Sequence, residues 1–360
     1  MECVRSLEAT PRTRALEAIG LAGAFALGCC ESGAPGLTVV GTDGSRTSLR
    51  AEVASTLFSL RGTNRSDWLG IDGARVQIFE GPNILLDFEF DGFVDEMGRD
   101  PLADDTVLFY SAQRQVFGIA RGGEVTETPI QRIVRDFEIV DFDGDGASDV
   151  VAIDRLGALF VIPAYPDADY DTSHIEIGSI ERPLSSPLGG RPRFLEVADF
   201  DGDGAFDVVA CTRSDQSTSG FRIYYGSGVV EDGSADACEL VAEASLGEGA
   251  SPDLVLNTSS STTEIWRYSV DRMQRVARLD AGGDLMDVGD ISGDGVDDLV
   301  LADVESTSPA RWVAGGVDPG AVQDLAISGG DWIVDLAIGN FLAPGDVAIA
   351  TTPPEYPGCG

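Results

Sequence analysis

The stretch LEVADFDGDGAFDVVA, residues 195–210, decides how this chain is read. Asp199, Asp201, Asp203 and Asp207 stand at positions 1, 3, 5 and 9 of a loop whose position 6 is Gly204. Carboxylates on alternate residues of a tight turn converge on one point, and a glycine at position 6 lets the backbone reverse there. Oxygen-ligand calcium loops are built in this way. The pattern recurs in IVDFDGDGASDVVAI, with Asp141, Asp143, Asp145, Gly146 and Asp149. It recurs again in MDVGDISGDGVDDLVLA, with Asp290, Ser292, Asp294, Gly295 and Asp298, where serine is a weaker oxygen ligand at position 3.

The residues after each loop separate it from an EF-hand, which would carry a bidentate glutamate at position 12 and helices on both sides. Position 12 here is Ala152, Ala210 or Leu301, and the loops run into DVVAI, DVVAC and DLVLA. Short β-branched and apolar runs bounded by glycine and acidic turns read as strands buried on both faces. The loop is therefore a turn between two strands. Runs such as GALFVIPA, GFRIYYG and TEIWRYSV fit the strand that comes next.

DFDGDGASDVV and DFDGDGAFDVV resemble the FG-GAP/VCBS repeats that form the blades of integrin α-subunit-type β-propellers. In that family the four acidic positions hold calcium in a β-hairpin. The resemblance implies calcium ligands at Asp141, Asp143, Asp145 and Asp149, and at Asp199, Asp201, Asp203 and Asp207. It extends to Asp290, Asp294 and Asp298, with Ser292 as the departure, so two to three calcium ions are expected.

The last aspartate of each loop falls at 149, 207 and 298. These spacings suit a unit of about 45 residues, the length of a propeller blade. Degenerate copies fall where that period needs them, at Asp253 before LVL, at Asp346 before VAIA and at Asp105 before TVLFY. WLGIDGARVQIFEG keeps only a strand pattern. Units of this length fill residues 37–352 and predict an all-β, seven-bladed β-propeller with calcium-binding DxDxDG hairpin loops, six or eight blades being the alternatives. TVVGTDG, from Thr38, is a candidate strand completing the last blade, a closure that removes an exposed sheet edge.

Residues 1–29 read as a signal peptide: Arg5, Arg12 and Arg14 precede the uncharged AIGLAGAFALG, which is too short to span a bilayer as a helix. ALGC resembles a bacterial lipobox, which implies lipidation at Cys29. Residues 30–36 are then a linker and 353–360 a tail. The expected location is the outer membrane or cell surface as a lipoprotein, or else the periplasm or medium, with membrane contact only through that anchor. Among the other cysteines no CxxC pair supports a zinc or redox site, and Cys211 with Cys238 is a candidate disulfide in an oxidising compartment.

The 360 residues carry 61 acidic and 24 basic side chains, a formal charge of −37, which argues against nucleic acid or an anionic membrane as partner. The sole histidine, His174, sits in a Pro-, Tyr- and Asp-rich insertion at 163–193 that is a candidate partner-contact loop. No GxSxG elbow accompanies it, and a chain without lysine has no P-loop. Trp68, Trp266, Trp312 and Trp332 read as blade core or as sugar-stacking platforms. The expectation is a non-enzymatic, calcium-stabilised extracytoplasmic propeller offering its loop face to a protein or glycan. The alternative is a secreted carbohydrate-active enzyme such as a propeller-type polysaccharide lyase, for which His174, Tyr165 and Tyr170 form the one visible cluster.

Overall fold

The computed structural model describes residues 36–40, 46–49, 56–60, 68–72, 76–80, 83–92, 94–103, 106–164, 170, 175–179, 191–213, 220–233, 235, 238, 240–247, 251–259, 261–303, 310–315, 322–325, 332–339 and 346–352. The signal peptide, Cys29, Asp105, Tyr165 and His174 lie outside the described residues.

All described regular structure is β-strand, in four-stranded antiparallel sheets. β1 (Gly36–Val40) and β2 (Arg46–Leu49) are followed by a sheet of β3 (Thr56–Leu60), β4 (Trp68–Asp72), β5 (Val76–Glu80) and β6 (Asn83–Phe88). Next come β7 (Glu96–Arg99), β8 (Thr106–Ser111), β9 (Val116–Arg121) and β10 (Glu124–Pro129), then β11 (Val134–Val140), β12 (Asp149–Asp154), β13 (Ala158–Ile162) and β14 (Ile175–Ser179). β15 (Arg191–Ala198), β16 (Asp207–Arg213), β17 (Gly220–Tyr224) and β18 (Val230–Gly233) form another sheet. So do β19 (Leu240–Ala244), β20 (Asp253–Ser259), β21 (Thr262–Tyr268) and β22 (Met273–Leu279). β23 (Leu285–Gly289), β24 (Asp298–Ala302), β25 (Arg311–Val313) and β26 (Gln323–Asp324) come after them. Finally β27 (Trp332–Gly339) and β28 (Asp346–Thr352) pair with β1, which pairs with β2, in the order β2-β1-β28-β27. The N-terminal strand thus completes the C-terminal sheet and covers an edge of β28 that would otherwise be open.

First strands of neighbouring sheets touch, β7 with β11, β11 with β15, β15 with β19 and β19 with β23, so the sheets stand radially around a common axis as propeller blades do. These strands and Leu336 line a central channel of about 410 Å³. Each second strand has a neighbouring blade on both faces, which is why it lacks the alternation of a half-solvated strand. β8, β12 and β24 are buried at every residue. Fourth strands are the outer edges, and β10 (EVTETP) presents a largely polar surface there. Val151, Ile153, Leu159, Leu195, Val208 and Ala210 interlock one blade with the next, and Cys211, Phe221, Ile223, Leu254 and Leu256 do the same one interface on. Trp266 and Trp312 pack on the margins of such clusters.

The expected seven-bladed propeller with calcium loops is corrected in this form. Side chains are described on all four strands only in the five consecutive blades from β7 to β26, and packing continues beyond both ends of that run, through Val76 and Ile78 of β5 and through Ile333 and Ile338 of β27. The units are not equal, since first strands begin at Thr56, Glu96, Val134, Arg191, Leu240, Leu285 and Trp332. Insertions such as those flanking β14 lengthen single units, so the spacing from one unit to the next is uneven. A DxDxDG-type turn opens the second strand in three blades, those of β12, β16 and β24, and its form as a calcium loop is not shown.

Phe109 in β8 is fully buried, with Phe88 and Phe90 ring centroids at 5.5 and 5.0 Å. Its ring lies flat over Gly118 of β9, where an added Cβ would come 2.0 Å from Phe109 Cζ. Gly118→Ala must displace the ring and is expected to lower stability by about 1–3 kcal/mol. Phe109→Leu should recover part of that loss. Denaturant melts of both single variants and the double variant test this, and strictly additive losses would contradict the contact.

Candidate functional site

The three acidic turns join a first to a second strand, so all lie on one face of the propeller, the face to which the third strands also return. Each is shaped by its own carboxylates. Asp141 accepts from Gly146 N–H at 3.1 Å, Asp199 from Gly204 N–H at 3.0 Å and Asp290 from Gly295 N–H at 2.9 Å, bonds that close the reversal. Positions 4 and 6 both take positive φ: Gly144 and Gly146 at 77° and 91°, Gly202 and Gly204 at 76° and 90°, Gly293 and Gly295 at 73° and 84°. Only glycine adopts these values without strain. The glycine at position 4 is a requirement that reading position 6 alone overlooks.

The aspartate at position 9 is buried in every turn and does a second job. Asp149 accepts from Phe142 N–H at 3.1 Å and from Ala164 N–H, just beyond β13, at 2.9 Å. Asp207 accepts from Phe200 and Asp201 N–H at 2.9 and 3.2 Å and from Gly226 N–H, just beyond β17, at 2.9 Å. Asp298 accepts from Ser292 N–H at 2.7 Å and from Gly315 N–H, just beyond β25, at 2.8 Å. One carboxylate therefore ties the turn to the exit of the third strand.

Carboxylate oxygens of Asp141, Asp143 and Asp149 come within 4.8 Å of one another, as do those of Asp199, Asp201 and Asp207. The expected ligands at position 5 are not in these groups. Asp145 and Asp203 are exposed, and each accepts from the N–H two residues on at 2.8 Å. In the third turn no three carboxylates converge among the described residues: Asp294 accepts from Val296 N–H at 2.9 Å, and the Ser292 hydroxyl reaches Asp290 at 3.5 Å. The convergent groups have their electrostatic signature. Burial pushes the Asp207 carboxyl up to about 6 against the backbone bond from Gly226, and the nearby Asp201 charge adds to the rise. Burial likewise raises Asp149, which faces the Asp143 charge. Oδ1 of Asp141 is buried with no hydrogen-bond partner. An all-oxygen set with raised carboxyls and an orphaned oxygen fits a hard divalent cation.

The degenerate copy at Asp253 shows what replaces the acidic turn. Asp253 heads β20 and is buried, as its counterparts are. Arg267 of β21 grips it with Nε at 2.6 Å and a second guanidinium nitrogen at 2.7 Å, a two-pronged contact that satisfies both oxygens. Burial and this pairing were not legible from the aspartate alone. Asp346 similarly heads β28. Position 8 of the turns also reaches the preceding blade. Ser148 donates to Asp100 at 2.6 Å, and Asp297 exchanges two bonds with the Ser245 backbone, at 2.6 and 3.0 Å.

Of the cluster considered for catalysis only Tyr170 is described, half-buried, its hydroxyl pushed up by burial and by the Asp100 and Asp149 charges. Cys211 and Cys238 form a disulfide with Cα atoms 5.7 Å apart, and both are buried in the interface between the second-turn blade and the next. Asp95, outside the turns, is pushed up to about 6 by burial, while accepting from Ala112 N–H at 2.7 Å.

A β-propeller protein with an acidic turn face is the class this fold and site define. No family model matches the chain, and no curated protein does. Among solved structures it is similar to the BBS1N domain crystallised in complex with ARL6DN and soaked with lead, at 9% identity and a TM-score of 0.57, over 86% of this chain and 94% of that one. It is also similar to the Myceliophteria thermophila Cps50 (Swd1) β-propeller domain, at 8% identity and a TM-score of 0.57, over 84% and 97% of the two chains. At such identity the likeness concerns the fold alone.

Two measurements check this geometry. Asp298→Ala strands two backbone N–H groups and should cost about 2–4 kcal/mol, whereas Asp294→Ala, losing one exposed turn bond, should cost under about 1 kcal/mol. Equal losses in denaturant melts would contradict the bridging role. Asp95 titrates near 6 in the fold against an ordinary 3.8, so the fold favours its neutral form, and that stability is lost as pH rises from about 4 through 6. Asp95→Asn keeps an acceptor for Ala112. The variant should therefore gain on the parent by up to about 3 kcal/mol between pH 4 and 7, and a pH-independent difference would contradict the assignment.

Proposed function

We propose that this chain is a non-enzymatic, exported binding propeller whose acidic turns are set by calcium and whose turn face receives a protein partner. The observation that carries the reading is the pair of convergent carboxylate groups on one face. Asp141, Asp143 and Asp149 would hold one ion, and Asp199, Asp201 and Asp207 the second. When bound, the ion supplies the positive charge that lets buried like charges stay ionised. Asp145, Asp203 and the backbone bonds then hold the turn in shape. Asp290, Ser292, Asp294 and Asp298 make a third turn that hydrogen bonds close by themselves, and its cation affinity is the weakest of the three. The BBS1N propeller was crystallised with the protein ARL6DN, which supports a protein-docking role for this architecture. The Cys211–Cys238 disulfide supports an oxidising compartment, in keeping with the export signal read in residues 1–29 and lipidation at Cys29.

The test is a thermal melt of the purified protein with calcium and after EDTA, beside a metal count. Two bound ions should raise stability by about 2.7 kcal/mol per site at a hundredfold excess over the dissociation constant. Asp141→Asn with Asp199→Asn should abolish most of the shift. No bound metal and an EDTA-insensitive melt would overturn the calcium reading.

A further inference from the structure

Between the first and second acidic turns lies a cavity of about 370 Å³ with no charged side chain among its described lining residues. Phe142, position 2 of the first turn, forms one side with Ile177 of β14; Phe206, position 8 of the second turn, and Tyr224 form another. Val229 and Val230, at the β17–β18 turn, stand at the cavity 59% and 52% exposed, two adjacent large apolar side chains open to solvent. The walls are held from outside the cavity. Tyr224 lies against Gly178 of the neighbouring blade, where a Cβ would meet its ring at 2.4 Å. Gly226, another lining residue, is fastened to Asp207 at 2.9 Å. Such a preformed apolar hollow fits one buried side chain of a partner better than a flat contact.

The surroundings specify what flanks that side chain. Asp143 and Asp145 come directly after Phe142 in the first turn, and Asp203 precedes Phe206, all three exposed. Each turn carries four aspartates, so a divalent cation in each still leaves a net negative charge on both sides of the hollow. Building on the binding-propeller reading, we propose that this hollow is the anchor pocket for an extended segment of a partner protein. That segment carries one aromatic or large aliphatic side chain flanked by arginine or lysine.

The experiment is selection of a displayed random peptide library on the full chain in calcium-containing buffer, followed by affinity measurement with synthetic peptides. The selected sequences should pair an apolar anchor with flanking basic residues. Binding should weaken at least tenfold on replacing the anchor by alanine, and should fall as salt rises from about 50 to 500 mM. Val229→Asp with Val230→Asp should also weaken binding at least tenfold although the added charges favour a basic peptide, and an unchanged melt would show these surface changes leave the fold intact. Peptides that bind equally to this variant would overturn the pocket while leaving a binding face elsewhere on the propeller. A library that yields no binder, beside glycan binding on an array, would overturn both the pocket and the protein-partner reading.

Discussion

A single kind of hydrogen bonding sets the rest of this structure: a buried aspartate at the head of a second strand accepting backbone N–H groups from two different segments. Asp149, Asp207 and Asp298 each link their own turn to the residue that leaves the third strand. A neutral side chain of this length does not satisfy as many donors, and an unpaired buried carboxylate would be prohibitively costly. The turn geometry, the glycines at positive φ and the return of the third strand to the same face all follow from where this carboxylate sits. Where the turn has decayed, as at Asp253, Arg267 satisfies the same carboxylate from the third strand instead.

This arrangement puts negative charge and apolar surface side by side. Turn residues alternate between carboxylates that face the reversal and side chains such as Phe142 and Phe206 that pack away from it. The face therefore combines acidic clusters with an aromatic hollow. The inner strands use carboxylates differently: Asp136 accepts from Leu195 N–H at 3.0 Å and Asp287 from Ile338 N–H at 2.7 Å, each reaching to the next first strand. Acidic residues thus stitch the blades together as well as decorating the surface, and the high negative charge of the chain is in part architectural.

Much of this was legible because a turn is a local object. The spacing of Asp199, Asp201, Asp203, Gly204 and Asp207 identified the strand-to-strand reversal, and Asp253 and Asp346 were placed at the heads of second strands without their acidic neighbours. The pairing of the N-terminal strand with the last blade was also expected, and Cys211 with Cys238 was a candidate pair that the fold brings together. Ligand geometry was not legible. Position 5 reads as a ligand by spacing, and Asp145 and Asp203 lie outside the convergent groups, each accepting from the N–H two residues on. Equal units were expected from an averaged period, which insertions in single blades defeat.

The features encoded in the linear order of residues are therefore local: apolar runs of strand length, acidic turns with glycine where φ is positive, and the register that places an aspartate before each buried strand. Folding in three dimensions was needed to settle which carboxylates converge, which are consumed by hydrogen bonds, and which aromatic side chains from separate blades enclose one hollow. Those outcomes depend on contacts between residues separated along the chain, such as Arg267 with Asp253 or Tyr224 with Gly178, and no periodic pattern encodes a distance across two blades.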